Sequence, residues 1–184
     1  MTAEDELSLE GLDPELLALI GASSPPVAPP TSLRSRLIDA VTSSDPRVAL
    51  AGFSERLQRL YDLSPSQVDD VLAAISRPGD WQPYVEGVTL HHFDPGPREL
   101  AAAPRVDAGL VRFPRGLAYP RHRHLGDETM LILAGGLVED DTGRRAVAGD
   151  ILHMGPGTVH GFRILPREDC IAAVLLYDGL PEFV

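Results

Sequence analysis

The chain has 184 residues, enough for one well-buried domain with an appendage and too few for two ordinary domains. Its formal net charge of −11 argues against direct binding to nucleic acid, which needs cationic surface against the phosphates. With 43% hydrophobic and 23% charged residues it has the composition of a soluble globular protein. No apolar run reaches membrane-spanning length and no leader pattern opens the chain, so the cytoplasm is the expected location.

Residues 1–12 carry Glu4, Asp5, Glu6 and Glu10 and no base, the pattern of a solvated tail. Asp13-Pro14 then offers an N-cap and a proline at the first helical position, and ELLALIGAS reads as a short helix ended by glycine. SSPPVAPPT, residues 23–31, is a semi-rigid spacer. From Ser32 the pattern is helical: Leu33, Leu37, Ile38 and Val41 share a face. A second helix starts at Asp45-Pro46 and leads through Val48, Leu50, Phe53, Leu57 and Leu60. A third opens with the capping box Ser64-Pro65-Ser66-Gln67 and carries Val68, Val71, Leu72 and Ile75. Stripes this apolar are expected to pack on a barrel or a second copy, because left exposed they would aggregate.

Arg77-Pro78-Gly79-Asp80 closes the helical part, and Trp81 is expected to act as packing at the junction. Short strand-like runs follow: YVEGVTLHHF, DAGLVRF after a proline- and alanine-rich loop, ETMLILAG, GLVED, RRAVA, DILHM, VHGFRIL and CIAAVLLY. Separated by glycine and proline turns, they predict an antiparallel sandwich or barrel. EDDTGR, Glu139 to Arg144, is a hairpin turn in which glycine supplies the positive φ. The expected organisation is therefore an acidic tail, short helix and spacer over 1–31, a helical segment over 32–80, and a β-barrel over 81–184. The single cysteine, Cys170, cannot form an internal disulfide and reads as a small buried apolar residue.

The chemistry concentrates in GLAYPRHRHLGDETMLILAG, Gly116 to Gly135, answered by GDILHMGPGTVH, Gly149 to His160. His122 and His124 are two apart on a strand and so project from one face, while Arg123 points outward. Glu128 begins the next run, and if it faces inward so do Met130 and Ile132. His160 follows the tight Gly155-Pro156-Gly157 turn at a strand start. Three imidazoles and one carboxylate suit zinc, iron, manganese, nickel or copper. His91, His92 and His153 read as histidines satisfied by hydrogen bonds, and no Ser-His-Asp or Cys-His pair or phosphate-binding glycine loop can be found. No catalytic residue is named beyond the ligands.

The spacing GxxxxxHxHxxxExxxxxxG between Gly116 and Gly135 is the first cupin motif without departure. The second, GxxxxxPxGxxHxxxN, is matched at Gly149, Gly157 and His160, with Gly155 in place of proline and Ile164 in place of asparagine. HRHLGDETMLILAGGLVEDDTGRRAVAGD and EDCIAAVLLYDGLPEF further resemble the C-terminal cupin domain of ChrR-type anti-sigma factors. That resemblance implies a mainly β, antiparallel double-stranded β-helix (a cupin or jelly-roll barrel) behind a short α-helical N-terminal segment. It also implies a homodimer and one divalent transition metal per subunit, zinc first and iron, manganese or nickel as alternatives. The family's metal ligands fall on His122, His124, Glu128 and His160.

Two functions of different class follow. One is a regulatory protein in which a metal holds the barrel or receives a small-molecule ligand while the helices contact a sigma factor or other regulatory protein. The other is an iron- or manganese-dependent dioxygenase acting on a small diketone or related carbonyl compound. No cysteine or histidine precedes His91, so the second zinc site of ChrR-type proteins is absent from this sequence. Sigma binding would rest on metal-free helices between residues 13 and 76. The regulatory reading is preferred, since no general acid or base beyond the ligands can be named.

Overall fold

The computed structural model describes residues 28–103 and 105–184. The acidic tail, the helix after Asp13 and residues 23–27 of the spacer lie outside the described residues. The chain divides into two compact units, residues 1–37 and 38–184. Of the first, residues 28–37 are described and open helix α1 (Leu33–Thr42), which crosses the division. The other elements belong to the second unit.

Asp45 caps α2 (Pro46–Ala49) by accepting from Arg47 N–H at 2.9 Å, with Pro46 at the first helical position. The continuous helix expected from there to Leu60 is broken: the chain passes through a 3₁₀ turn, Ala51–Phe53, before α3 (Ser54–Tyr61). Gly52, which favours helix least among non-proline residues, sits in the middle of that turn. Ser64 and Gln67 form the expected reciprocal capping box at the start of α4 (Pro65–Ala74).

Eleven strands follow among the described residues: β1 (Gln82–Pro83), β2 (Thr89–Phe93), β3 (Val106–Phe113), β4 (Ala118–Arg123), β5 (Glu128–Ala134), β6 (Gly136–Glu139), β7 (Arg145–Val147), β8 (Ile151–Met154), β9 (Val159–Ile164), β10 (Cys170–Tyr177) and β11 (Glu182–Phe183). A short helix, α5 (Pro97–Ala102), occupies what the composition suggested was loop. The strands form two antiparallel sheets, β1-β2-β3-β10-β5-β8 and β11-β4-β9-β6-β7. The fold is mainly β with a short helical segment ahead of the strands. The predicted hairpin turn closes β6 onto β7 with Gly143 at φ +68°.

Between the sheets lies one apolar core, built on Phe113, Met130, Ile132, Val174, Tyr119, Leu137, Phe162 and Ile164. Cys170 is fully buried there, and burial pushes its thiol up to about 12, which leaves it inert. The six-stranded sheet is apolar on its outer face as well. Leu110, Leu131, Leu133, Ala173 and Leu175 meet Leu57, Tyr61, Val68 and Leu72 of α3 and α4 in a second core. This explains why β5 and β10 read as near-continuous apolar runs: both of their faces are covered. The Tyr61 hydroxyl, fully buried, donates to Gly109 O (2.8 Å), with Val174 O at 3.3 Å. Arg112 donates to Ile75 O (2.8 Å) and lies over the Trp81 ring, and Trp81 Nε1–H donates to Ala74 O (3.0 Å). Trp81 is packing at the junction, as expected.

Candidate metal centre

His122 and His160 are directly opposed on β4 and β9. His124 follows β4 by one residue and is held by a reciprocal backbone clamp, its N–H donating to Thr158 O (3.0 Å) and its carbonyl accepting from Gly157 N–H (2.8 Å). The Gly155–Gly157 turn therefore places His160 and also fixes His124. The three imidazoles form a near-regular triangle with ring centroids 4.6 to 5.0 Å apart. One nitrogen from each lies within 4.8 Å of the others.

Glu128, at the start of β5 on the opposite sheet, faces inward with Met130 and Ile132, and Arg123 faces solvent. The Glu128 Oε2 lies 3.2 Å from Nδ1 of His124, and the two side chains are 5% and 1% exposed. That nitrogen has no hydrogen-bond partner, so the contact is close but misaligned for a hydrogen bond. The loop between them turns at Gly126, where a Cβ would stand 2.3 Å from Tyr177 O. Only glycine lets the chain pass β10 closely enough to swing Glu128 towards the imidazoles.

The donor set fits a transition metal. Nitrogens bound to one zinc ion at about 2.0–2.1 Å stand roughly 3.0–3.4 Å apart, and Nε2 of His124 and Nε2 of His160 are 3.0 Å apart. His122 Nδ1 is 2.9 Å from Pro120 O. As donor to that carbonyl it carries the proton, which leaves the Nε2 lone pair free for a ligand. Burial, offset by the Pro120 hydrogen bond, pulls His122 down to about 4, and burial followed by the neighbouring His124 lowers His160. Both are neutral at physiological pH, the form that ligates. Nδ1 of His124 faces the Glu128 carboxylate while its Nε2 faces His160, so an ion between the imidazoles would be held through Nε2.

The remaining histidines stand apart. His91 Nδ1 contacts Asp80 O (3.0 Å), His92 is exposed, and His153 pairs with Thr129 on the outer face. Sequence reasoning missed two features of the site. Tyr119 lies edge-on to His122 at 5.1 Å, and Phe183 of β11 pairs opposite His122 on the edge of β4. The signal for the first was Pro120, a proline inside a strand; the second had none. Next to Glu128 and His122 is a cavity of about 50 Å³ with largely apolar walls.

Two packed antiparallel sheets with three converging imidazoles inside define a cupin. More particularly, the chain belongs to the family of ChrR cupin-like domains, whose model matches residues 75–177. No curated protein matches it in sequence. Among solved structures it is similar to the Rhodobacter sphaeroides anti-sigma ChrR in complex with SigE, at 20% identity over 88% of this chain and 75% of that chain, TM-score 0.51. It is also similar to an RmlC-like cupin of Ralstonia eutropha, at 22% identity over 53% of this chain and 62% of that one, TM-score 0.45. A third is an acetylacetone dioxygenase of Acinetobacter johnsonii, at 19% identity over 58% of this chain and 73% of that one, TM-score 0.46. At these identities the likenesses bear on the fold alone, and the chain spans about three fifths of the Ralstonia protein.

Proposed function

We infer that this chain is a metal-binding cupin of the ChrR-like anti-sigma type that acts in the cytoplasm, as a homodimer, through a protein partner or a small ligand. The observation that carries the reading is the convergence of three imidazoles, with one nitrogen of each within 4.8 Å of the others and Nε2 of His124 3.0 Å from Nε2 of His160. His122, His124, Glu128 and His160 are the proposed ligands of one divalent ion, zinc first. When bound, such an ion supplies structural cross-linking between the sheets and a Lewis-acidic position for a ligand. Residues 81–184 form the barrel in this reading, residues 32–80 the helical segment, and residues 1–31 the leading tail. A sigma factor is the proposed partner, supported by the family match and by the likeness to a chain solved with one.

The test is metal analysis of protein purified without added metal, combined with co-purification of host sigma factors and oxygen uptake. About one zinc per subunit, sigma-factor capture and no uptake would support the proposal. Oxygen consumption by the iron-loaded protein with a diketone would replace it with the dioxygenase reading. Sedimentation of the purified chain as a monomer would remove the dimer from it.

A further inference from the structure

Tyr119 and His122 are three residues apart, so strict alternation would put them on opposite faces of β4. Both are nonetheless buried on the inner face, at 7% and 3% exposure. The register explains this. Tyr119 pairs with Phe162 and His122 with His160, so three steps along β4 match two along β9. The extra residue falls at Pro120-Arg121, where a proline that cannot donate to the ladder is accommodated by a bulge. The bulge thereby sets a phenol on the wall that carries the metal-site imidazole.

That phenol is rigid and unpartnered. Phe162 stacks on its ring at 4.9 Å, and Phe113 meets it edge-on at 5.2 Å. Among the described residues no side chain or carbonyl is hydrogen-bonded to its hydroxyl, which is not one of the sealed, unsatisfied buried atoms. Tyr119, His122 and Glu128 all line the cavity beside the site, whose other walls include Leu90, Val111 and Leu180. At about 50 Å³ it has room for roughly four water-sized groups. A phenol hydroxyl, a face of the metal site and a largely apolar cavity thus meet at one place.

We propose that this cavity binds a short-chain monocarboxylate, its carboxylate between the metal position and the Tyr119 hydroxyl and its alkyl end against Val111, Leu90 and Leu180. The proposal rests on the metal reading above. A divalent ion held by three neutral imidazoles and one carboxylate keeps one unit of positive charge facing an apolar chamber, and a monoanion balances it. Tyr119 then selects an oxygen acceptor, and the chamber limits the chain to about two or three carbons.

The test uses the full chain loaded with cobalt(II), whose visible spectrum reports changes at the metal. Formate, acetate and propionate should bind saturably, tightening about fourfold for each added carbon, and pentanoate should bind more weakly than propionate. Propionamide, of the same shape but uncharged, should not compete. Tyr119→Phe should weaken propionate about tenfold, the loss of one hydrogen bond to a charged group, while cobalt affinity stays at the wild-type value. Val111→Phe should move the preference towards formate, again with cobalt affinity unchanged. Cobalt binding without saturable carboxylate binding, propionamide competing as well as propionate, or unchanged propionate affinity in Tyr119→Phe would each overturn the proposal alone. Failure of the wild type to bind cobalt would overturn the metal reading and this proposal with it.

Discussion

His124 is the residue on which the site turns, because one of its nitrogens faces His160 while the other is buried and unpaired beside Glu128. If an ion occupies this cluster, His160→Ala and Glu128→Gln should each lower zinc affinity by about 10-fold or more in a chelator competition, and the double variant should purify without metal. Full occupancy in that double variant would refute the ligand assignment. Gly126 is constrained by backbone, not chemistry: a Cβ there would stand 2.3 Å from Tyr177 O. Gly126→Ala should therefore cost about 2 kcal/mol or more in urea denaturation and weaken metal binding, since Glu128 would shift with the loop. The pH dependence of the metal-free protein has a definite sign. The folded state holds His122 near 4, below its ordinary value of 6.5, so between those values the unfolded chain binds a proton that the native chain refuses. Stability should fall as pH drops from about 6.5 to about 4, by up to about 3 kcal/mol for this residue, and His160 adds to the same trend. A His122→Asn variant should lose much of that slope; an unchanged slope would show that other groups dominate it.

Among the elements, α3 and α4 are joined to the six-stranded sheet by apolar contact and by one buried phenol. Tyr61→Phe removes the buried hydroxyl that donates to Gly109 O, so a loss of about 1 kcal/mol is expected. Leu72→Ala, at a fully buried position in the outer core, should cost about 2–5 kcal/mol. Neither side chain contacts the imidazoles, so zinc affinity measured well below the melting temperature should be unaltered. A matching fall in zinc affinity would mean that the helices support the site directly. The strand that carries His122 depends instead on its bulge, which lets an odd spacing place two inward side chains on one wall. Periodicity counting could not reveal this, because the rule it applies assumes an unbroken ladder.

For the whole molecule, the outer apolar face of the sheet makes the helices part of the barrel's stability. A chain reduced to residues 81–184 would expose Leu110, Leu131, Leu133 and Leu175. It should bind hydrophobic dyes, aggregate and melt about 10 °C or more below the full chain. A soluble fragment with an unchanged melting temperature, and fast hydrogen exchange through α3 and α4 in the full chain, would instead leave those helices free for a partner. The β architecture, the inward set of Glu128, Met130 and Ile132, the capping box at Ser64 and the burial of Cys170 were all legible in the sequence. Each depends on local rules: alternation along a strand, side-chain capping, and the preference of small apolar residues for the interior. Local reading also brought His122, His124 and His160 together through motif spacing. Only the tertiary structure decided that α3 and α4 cover the outer face of the six-stranded sheet, that the helix after Pro46 breaks at Gly52, and that Tyr119 joins His122 on the cavity wall. Those outcomes depend on which strands become neighbours and on a register set by residues some 40 apart in the chain, such as Tyr119 and Phe162, which no window of local sequence contains.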